Sequence, residues 1–451
     1  MKRLRNLSEN SFLKLFFGFF SLSFLVAAVC MPDRSNMFSG LLQILSQPTK
    51  AYTNFFAVGG YAATFLNMGL VGLICTGIYC IPGNKENNTA TLVTILTTGF
   101  GSWGIHVLNI WHTMFGVVLY CLIKKKNLGD YTNAMLFSTG VAPFISDLMV
   151  RYPHAEVVGF HPVGILLAIL IGVMVGLFLP AGLDHSPRVH KGYDIYSAAL
   201  PVGMIALVLQ GFLYRAIGID VPDAVADLHV ASPWIVNIFC IILFSLCILF
   251  AFLLGCKPRQ YLRLLTDPET VRHFSAAYGN SVFLMNVGVF GLFILGYYNL
   301  IGAEFNGVTF GVMFCMLATC NCGSNPANVL PIMGGYAAAA YGSQLLSHLA
   351  GGHFVQTLNS QNIIVGLCYA NGLSPVADKY GWKHGLVASV LHYTMVTTIP
   401  LLHGDLCLYN GGFTAALVCL LYVPVLEKLS LPKQERRSNR KMRLLGKQKA
   451  K

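Results

Sequence analysis

The sequence predicts an all-α polytopic membrane protein with about 12–14 hydrophobic segments in two inverted pseudo-symmetric repeats containing broken or re-entrant helices. Three observations predict it. Of the 451 residues, 55% are hydrophobic and only 11% charged; apolar stretches recur along the whole chain; and short motifs return in the same order roughly 220 residues later. A soluble domain carries roughly 25% charged residues, so a water-soluble globular enzyme is excluded. Disorder fails on hydrophobicity. Collagen fails because the 45 glycines have no triplet period, and 13 cysteines in so long a chain do not make a disulfide scaffold.

The apolar stretches run over 12–30, 55–80, 89–103, 105–123, 132–150, 163–180 and 194–213, then over 233–256, 279–298, 307–320, 327–346, 360–376, 384–402 and 410–426. A straight crossing takes ~20 residues. By that measure 89–103, 132–150, 307–320 and 360–376 are short or interrupted by Gly and Pro, as half-helices or re-entrant segments would be. The first stretch lacks a clean small-x-small cleavage site before Met31-Pro32 and is expected to be a retained anchor. This divides the chain into an N-terminal transmembrane repeat (1–230), a C-terminal one (231–427), each with seven segments, and a basic cytoplasmic tail (428–451).

Charge fits seven plus seven. With fourteen crossings and a cytoplasmic N-terminus, 26 of the 30 Lys and Arg fall inside, leaving Arg34, Lys50, Arg151 and Arg215 outside. That is the split expected of a multi-pass protein of the plasma (inner) membrane with both termini cytoplasmic. The net charge of +12 comes largely from the tail, so its expected partner is anionic lipid and not nucleic acid. An odd number of crossings per half turns the second half upside down relative to the first. If one segment in each half were a re-entrant loop, the copies would be parallel.

The repeat is visible in four matches. Asn67-Met68-Gly69-Leu70-Val71-Gly72-Leu73 corresponds to Asn286-Val287-Gly288-Val289-Phe290-Gly291-Leu292 at an offset of 219. Gly101-Ser102 and Val107-Leu108-Asn109-Ile110 match Gly323-Ser324 and Val329-Leu330-Pro331-Ile332 at 222, which pairs His106 with Asn328. Gly140-Val141-Ala142-Pro143 matches Gly372-Leu373-Ser374-Pro375, with Asp147 and Asp378 following. His190 with Tyr196 matches His403 with Tyr409.

Polar groups at membrane depth are costly unless they face a cavity or one another. Asn67 and Asn286 sit beside glycines inside apolar helices and either join helices by hydrogen bonds or share a central site. Pro143 and Pro375 predict broken helices near 140–147 and 372–378, whose exposed backbone, with Ser374, Asp147 and Asp378, would line a substrate cavity. The alternative for both aspartates is capping of helix ends. His190 and His403, with Tyr196 and Tyr409, are proton-relay candidates or boundary residues.

Other signals carry less. Gly99-Phe100-Gly101-Ser102-Trp103-Gly104 is formally G-x-G-x-x-G but lacks a surrounding βαβ unit. Cys320 and Cys322 are one residue short of the C-x-x-C spacing, so no metal site is expected. H-E-x-x-H, G-K-[ST] and G-x-S-x-G are absent, and no cofactor is implied.

On these motifs the whole chain resembles an uncharacterised bacterial multi-pass membrane family catalogued as a domain of unknown function. Val282-Phe283-Leu284-Met285-Asn286 through Gly291-Leu292, and Leu408-Tyr409-Asn410-Gly411-Gly412-Phe413, are also similar to short motifs of bacterial urea transporters. That likeness implies two inverted halves around a pore, although Val287 stands where the urea family has Pro and each half here has more segments. The expectation is a transporter or channel-like permease, not an enzyme, for a small neutral or weakly charged polar solute held at the repeat interface. A membrane-embedded enzyme or sensor on the same scaffold is the alternative, and a homo-oligomer is left open.

Overall fold

A computed structural model describes residues 7–84, 88–153, 158–222, 232–267, 272–353, 356–429 and 435. Nearly all of the basic tail, with Lys2, Arg3, Arg5 and Lys85, lies outside the described residues. Among the described residues there are helices and turns but no strands. The N-terminal half contains α1 (Glu9–Cys30), α2 (Met37–Leu45), α3 (Phe55–Ile78), α4 (Asn88–Phe100), α5 (Trp111–Lys124), α6 (Thr132–Ser138), α7 (Ala142–Val150), α8 (Pro162–Val189) and α9 (Ala199–Gln210). The C-terminal half contains α10 (Pro233–Leu253), α11 (Pro258–Thr266), α12 (Phe274–Tyr278), α13 (Asn280–Leu300), α14 (Gly307–Ala318) and α15 (Pro326–Leu349). It continues with α16 (Gln361–Ala370), α17 (Ser374–Tyr380), α18 (Trp382–Val396), α19 (Ile399–Leu402) and α20 (Asn410–Leu429).

Eight helical stretches among the described residues are long and apolar enough to cross a membrane, so the protein is an all-α polytopic membrane protein. They are not hidden from lipid. Ile165, Leu166, Ile169 and Leu170 of α8 and Ile238, Ile241, Ile242 and Leu249 of α10 point outward, as side chains do when the surrounding solvent is hydrocarbon.

Glycines let the helices approach closely where there is no hydrophobic force to drive them together. Gly116 of α5 fits against Gly176 of α8, and a Cβ at Gly116 would stand 2.4 Å from the Val173 carbonyl oxygen. In the other half Gly335 of α15 meets Ser389 of α18. Between the halves, α4 and α14 run side by side and antiparallel. Asn321 Nδ2 donates to Thr91 Oγ1 at one end, Gly99 and Gly311 touch in the middle, and Ser102 Oγ donates to the Gly307 carbonyl at the other.

The helix breaks predicted from Pro143 and Pro375 are present as single 3-10 turns, Thr139–Val141 between α6 and α7 and Asn371–Leu373 between α16 and α17. Each proline sits in the first turn of the following helix, where its missing N–H leaves no bond unmade. A second matched break lies at Gly60 within α3 (φ 82°) and Gly279 before α13 (φ 89°), conformations open to glycine.

Candidate functional site

Asn67 and Asn286 occupy equivalent surroundings. Asn67 Nδ2 donates to the carbonyls of Gly101 (2.7 Å) and Ile105 (2.8 Å), and its Oδ1 accepts from Val107 N. Asn286 Nδ2 donates to the carbonyls of Cys320 (2.8 Å) and Ser324 (3.0 Å), and its Oδ1 accepts from Tyr261 OH. Both side chains are fully buried, and their amide nitrogens are committed to the irregular backbone after α4 and α14. This is how a non-helical segment survives at membrane depth: a carboxamide replaces the missing backbone partners.

The same bonds correct the register of the second sequence match. The offset of 219 persists through the loops, so His106 corresponds to Asn325, not Asn328. His106 Nδ1 accepts from Leu108 N and Asn109 N, as Asn325 Oδ1 accepts from Ala327 N and Asn328 N. Asn109 Nδ2 donates to Ser146 Oγ, and Asn328 Nδ2 donates to Asp378 Oδ2. Asp378 is therefore matched by Ser146, and Asp147 by Lys379.

Asp147 lies near the opposite end of the molecule from Asp378. It forms a two-pronged pair with Arg151 (2.6 and 2.9 Å) and accepts from Tyr214 OH, while Arg151 also donates to the Asp220 carbonyl. Ser374 Oγ lies 3.4 Å from Ser324 Oγ.

The turns before α9 and α20 join the two halves reciprocally. Ile195 N donates to the Gly372 carbonyl (3.1 Å), and Leu408 N donates to the Gly140 carbonyl (2.9 Å). Tyr196 lies flat on Gly372 and Tyr409 on Gly140, so close that a Cβ would stand 2.5 and 2.1 Å from the rings. Each turn passes through left-handed backbone at matched positions, Lys191-Gly192 (φ 51° and 75°) and Gly404-Asp405 (φ 59° and 58°). Within the turns His190 Nε2 is 2.8 Å from Ser197 Oγ, and His403 Nδ1 bonds Asn410 Oδ1. Burial, followed by the nearby Arg272 cation, holds His190 down to about 4.

The first of these turns borders a cavity of about 590 Å³. Its mouth carries the exposed Lys126, Asp130 and Asp184; its walls carry Asn88, Asn133, His190, Asp194, Ser197 and Arg272; its floor is Leu92, Phe137 and Ala198. Arg272 and Cys322 come from the C-terminal half and the other lining residues from the N-terminal half. Sequence reasoning missed Asp194 and Arg272. Asp194 is inside the His190 to Tyr196 motif, and Arg272 was counted as a topology charge.

Large buried rings occupy the positions 219 residues before Thr319 and Cys322. Trp103 stands where Cys322 lines the cavity, and Phe100 where Thr319 stands. Four rings follow one another from the cavity floor toward the Asn54 and Gly307 end: Phe137 to Tyr409 (6.2 Å), Tyr409 to Phe100 (5.4 Å) and Phe100 to Trp103 (5.2 Å). Among the described residues, no group of three or more His, Cys, Asp or Glu is arranged to hold a metal ion.

Helices of this length around a polar recess define a multi-pass membrane protein with an internal cavity. The chain belongs to the family described as "Protein of unknown function (DUF1576)", whose model matches residues 33–215 and 258–428, in both halves. No curated protein and no solved structure matches the chain.

Proposed function

We propose that the protein is a transporter or channel-like permease for a small neutral or weakly charged polar solute, with its two halves as inverted copies around the cavity. One observation carries this: a polar recess built from both halves opens at one face and ends in a column of aromatic rings leading toward the other. Paired hydrogen bonds at constant offset and the antiparallel α4 and α14 support the inversion. Lys126 at the mouth, with Lys124, Lys125, Arg188, Lys191 and Arg272 nearby in the chain, supports a cytoplasmic opening in the plasma membrane.

Solute enters from that side, and passage requires the rings of Phe137, Tyr409, Phe100 and Trp103 to part. Asn67, Asn286, Pro143 and Pro375 shape the walls without reaching the solute. The test is flux into proteoliposomes over a panel of urea, glycerol and amino acids. Cys322→Trp, which fills the cavity, is expected to abolish uptake of the transported member, and Trp103→Ala to accelerate it. No flux for any member, or flux indifferent to Cys322→Trp, would overturn the proposal.

A further inference from the structure

An acidic and a basic side chain line the cavity without pairing with one another. Asp194 is 2% exposed; its Oδ1 accepts from Tyr196 N (2.8 Å), and its Oδ2, also buried, has no hydrogen-bond partner among the described residues. Arg272 approaches over Gly192, where a Cβ would stand 3.3 Å from its Nη1. Among the described residues its guanidinium makes no hydrogen bond and no ion pair, so it stays outside the 4.0 Å pairing distance of Asp194. Arg272 nevertheless lowers the Asp194 carboxyl, while the carboxylate that acts on Arg272 is that of Asp378.

Asp194 Oδ2 is left buried without a partner, and the half-buried Arg272 guanidinium, eased at a distance by the Asp378 carboxylate, still has no direct contact to offset its desolvation. A bound molecule offering a cation to one and an anion to the other removes both costs together. We propose that the cavity binds a small zwitterion, its cationic group on Asp194 Oδ2 and its anionic group on the Arg272 guanidinium. The proposal rests on the transport reading for the way in, but the binding site is tested separately.

The alternatives fit less well. A simple anion would meet Arg272 but leave Asp194 Oδ2 without a partner, while a simple cation would meet Asp194 and leave the Arg272 guanidinium without one. A neutral solute would bring neither an anion to Arg272 nor a cation to Asp194. Leu92, Phe137 and Cys322 leave room for a short apolar substituent, and Asn88 and Ser197 supply neutral hydrogen bonds. In the other half Cys407 and Thr53 stand at the places corresponding to Asp194 and Arg272, so the recognition is one-sided.

Burial raises the Asp194 carboxyl to about 8, against the lowering effects of the Tyr196 N–H and of Arg272. The empty site therefore holds a proton near neutrality, and an arriving ammonium displaces it. The groups facing Asp194 are His190 and Tyr196 from its own turn, Arg272 from the segment before α12 and Cys419 from α20. Binding should tighten as pH rises toward 8.

The experiment is calorimetry on the full-length protein in detergent with the twenty standard amino acids and glycine betaine. Single-charge relatives accompany each one: the amide, which lacks the carboxylate, and the matching 2-hydroxy acid, which lacks the ammonium. At least one zwitterion should bind about 30-fold more tightly than either of its relatives, as expected for losing a buried charge-assisted contact. Asp194→Asn, which keeps the Oδ1 acceptor, should weaken the zwitterion about 10-fold or more while leaving the hydroxy acid nearly unchanged. Arg272→Gln should spare the amide instead, and Arg272→Lys should restore part of the zwitterion binding.

No binding by any zwitterion, or binding untouched by both substitutions, overturns the proposal. Flux separates it from the transport reading. Protein-dependent entry of urea or glycerol without zwitterion binding would leave transport standing and remove this site. Tight zwitterion binding without flux of any solute would do the reverse.

Discussion

Asn67 and Asn286 show what a carboxamide does inside a membrane protein. Each amide bonds two carbonyls that no helix can use, so removing it exposes acceptors to a dry interior. Asn67→Ala should cost on the order of 2–4 kcal/mol, the scale for stranding two buried acceptors. Thermal unfolding in detergent would show it as a lower transition without any change in ligand selectivity. Asp194 makes a different prediction. Its carboxyl titrates near 3.8 in the unfolded chain and at about 8 in the fold, so between those values the folded state holds a proton that the unfolded state has released. Stability therefore falls as pH rises through that window. His190, lowered to about 4, has the opposite slope, confined below its ordinary 6.5. Above about pH 6.5, then, melting temperature should decline with pH in the native protein and stay level in Asp194→Asn.

At the scale of elements, the sequence was legible wherever a rule of backbone chemistry applied. Pro143 and Pro375 announced the interruptions of α6–α7 and α16–α17 because proline cannot continue a helix, and Gly69 and Gly72 announced a close helix contact that α1 supplies. The alignment of the loops was illegible because Gly101-Ser102 and Gly323-Ser324 look alike at an offset of 222, whereas hydrogen bonding obeys 219. That slip of three hid the pairing of Phe100 and Trp103 with Thr319 and the cavity-lining Cys322. Asp194 and Arg272 were illegible for another reason: two charges 78 positions apart in different connecting segments resemble ordinary boundary residues until folding brings them to one recess. The tight seats of Tyr409 and Tyr196 are the sharpest element-level test. Gly140→Ala or Gly372→Ala should destabilise by about 1–3 kcal/mol through overpacking, with Gly140→Ala the more damaging because its Cβ would come closer to the ring. Unfolding of the two variants side by side checks the order.

At the scale of the molecule, matched local features in the two halves accompany different contents. The two halves share helix breaks, carboxamide bonds and turn geometry, while the cavity of about 590 Å³ is lined mainly by the N-terminal one. If the halves are the inverted copies proposed above, an access equilibrium in which both sides open equally would need similar volume on each side, and Trp103 in place of Cys322 works against it. Exchanging the bulk, with Trp103→Cys combined with Cys322→Trp, should move the recess to the other face. A water-soluble thiol reagent applied from each side of oriented vesicles would report it as a switch in which of the two cysteines is labelled.

The reciprocal bonds from Ile195 to Gly372 and from Leu408 to Gly140 carry a historical implication. Each half's interrupted helix accepts a backbone bond from the other half at its break. A single-copy ancestor built this way would have been a partnership before it was one polypeptide, with two identical chains completing each other across the lipid. Cutting the present chain between residues 222 and 232 should recreate that dependence, with fragments that accumulate in cells when co-expressed and are degraded when either is made alone.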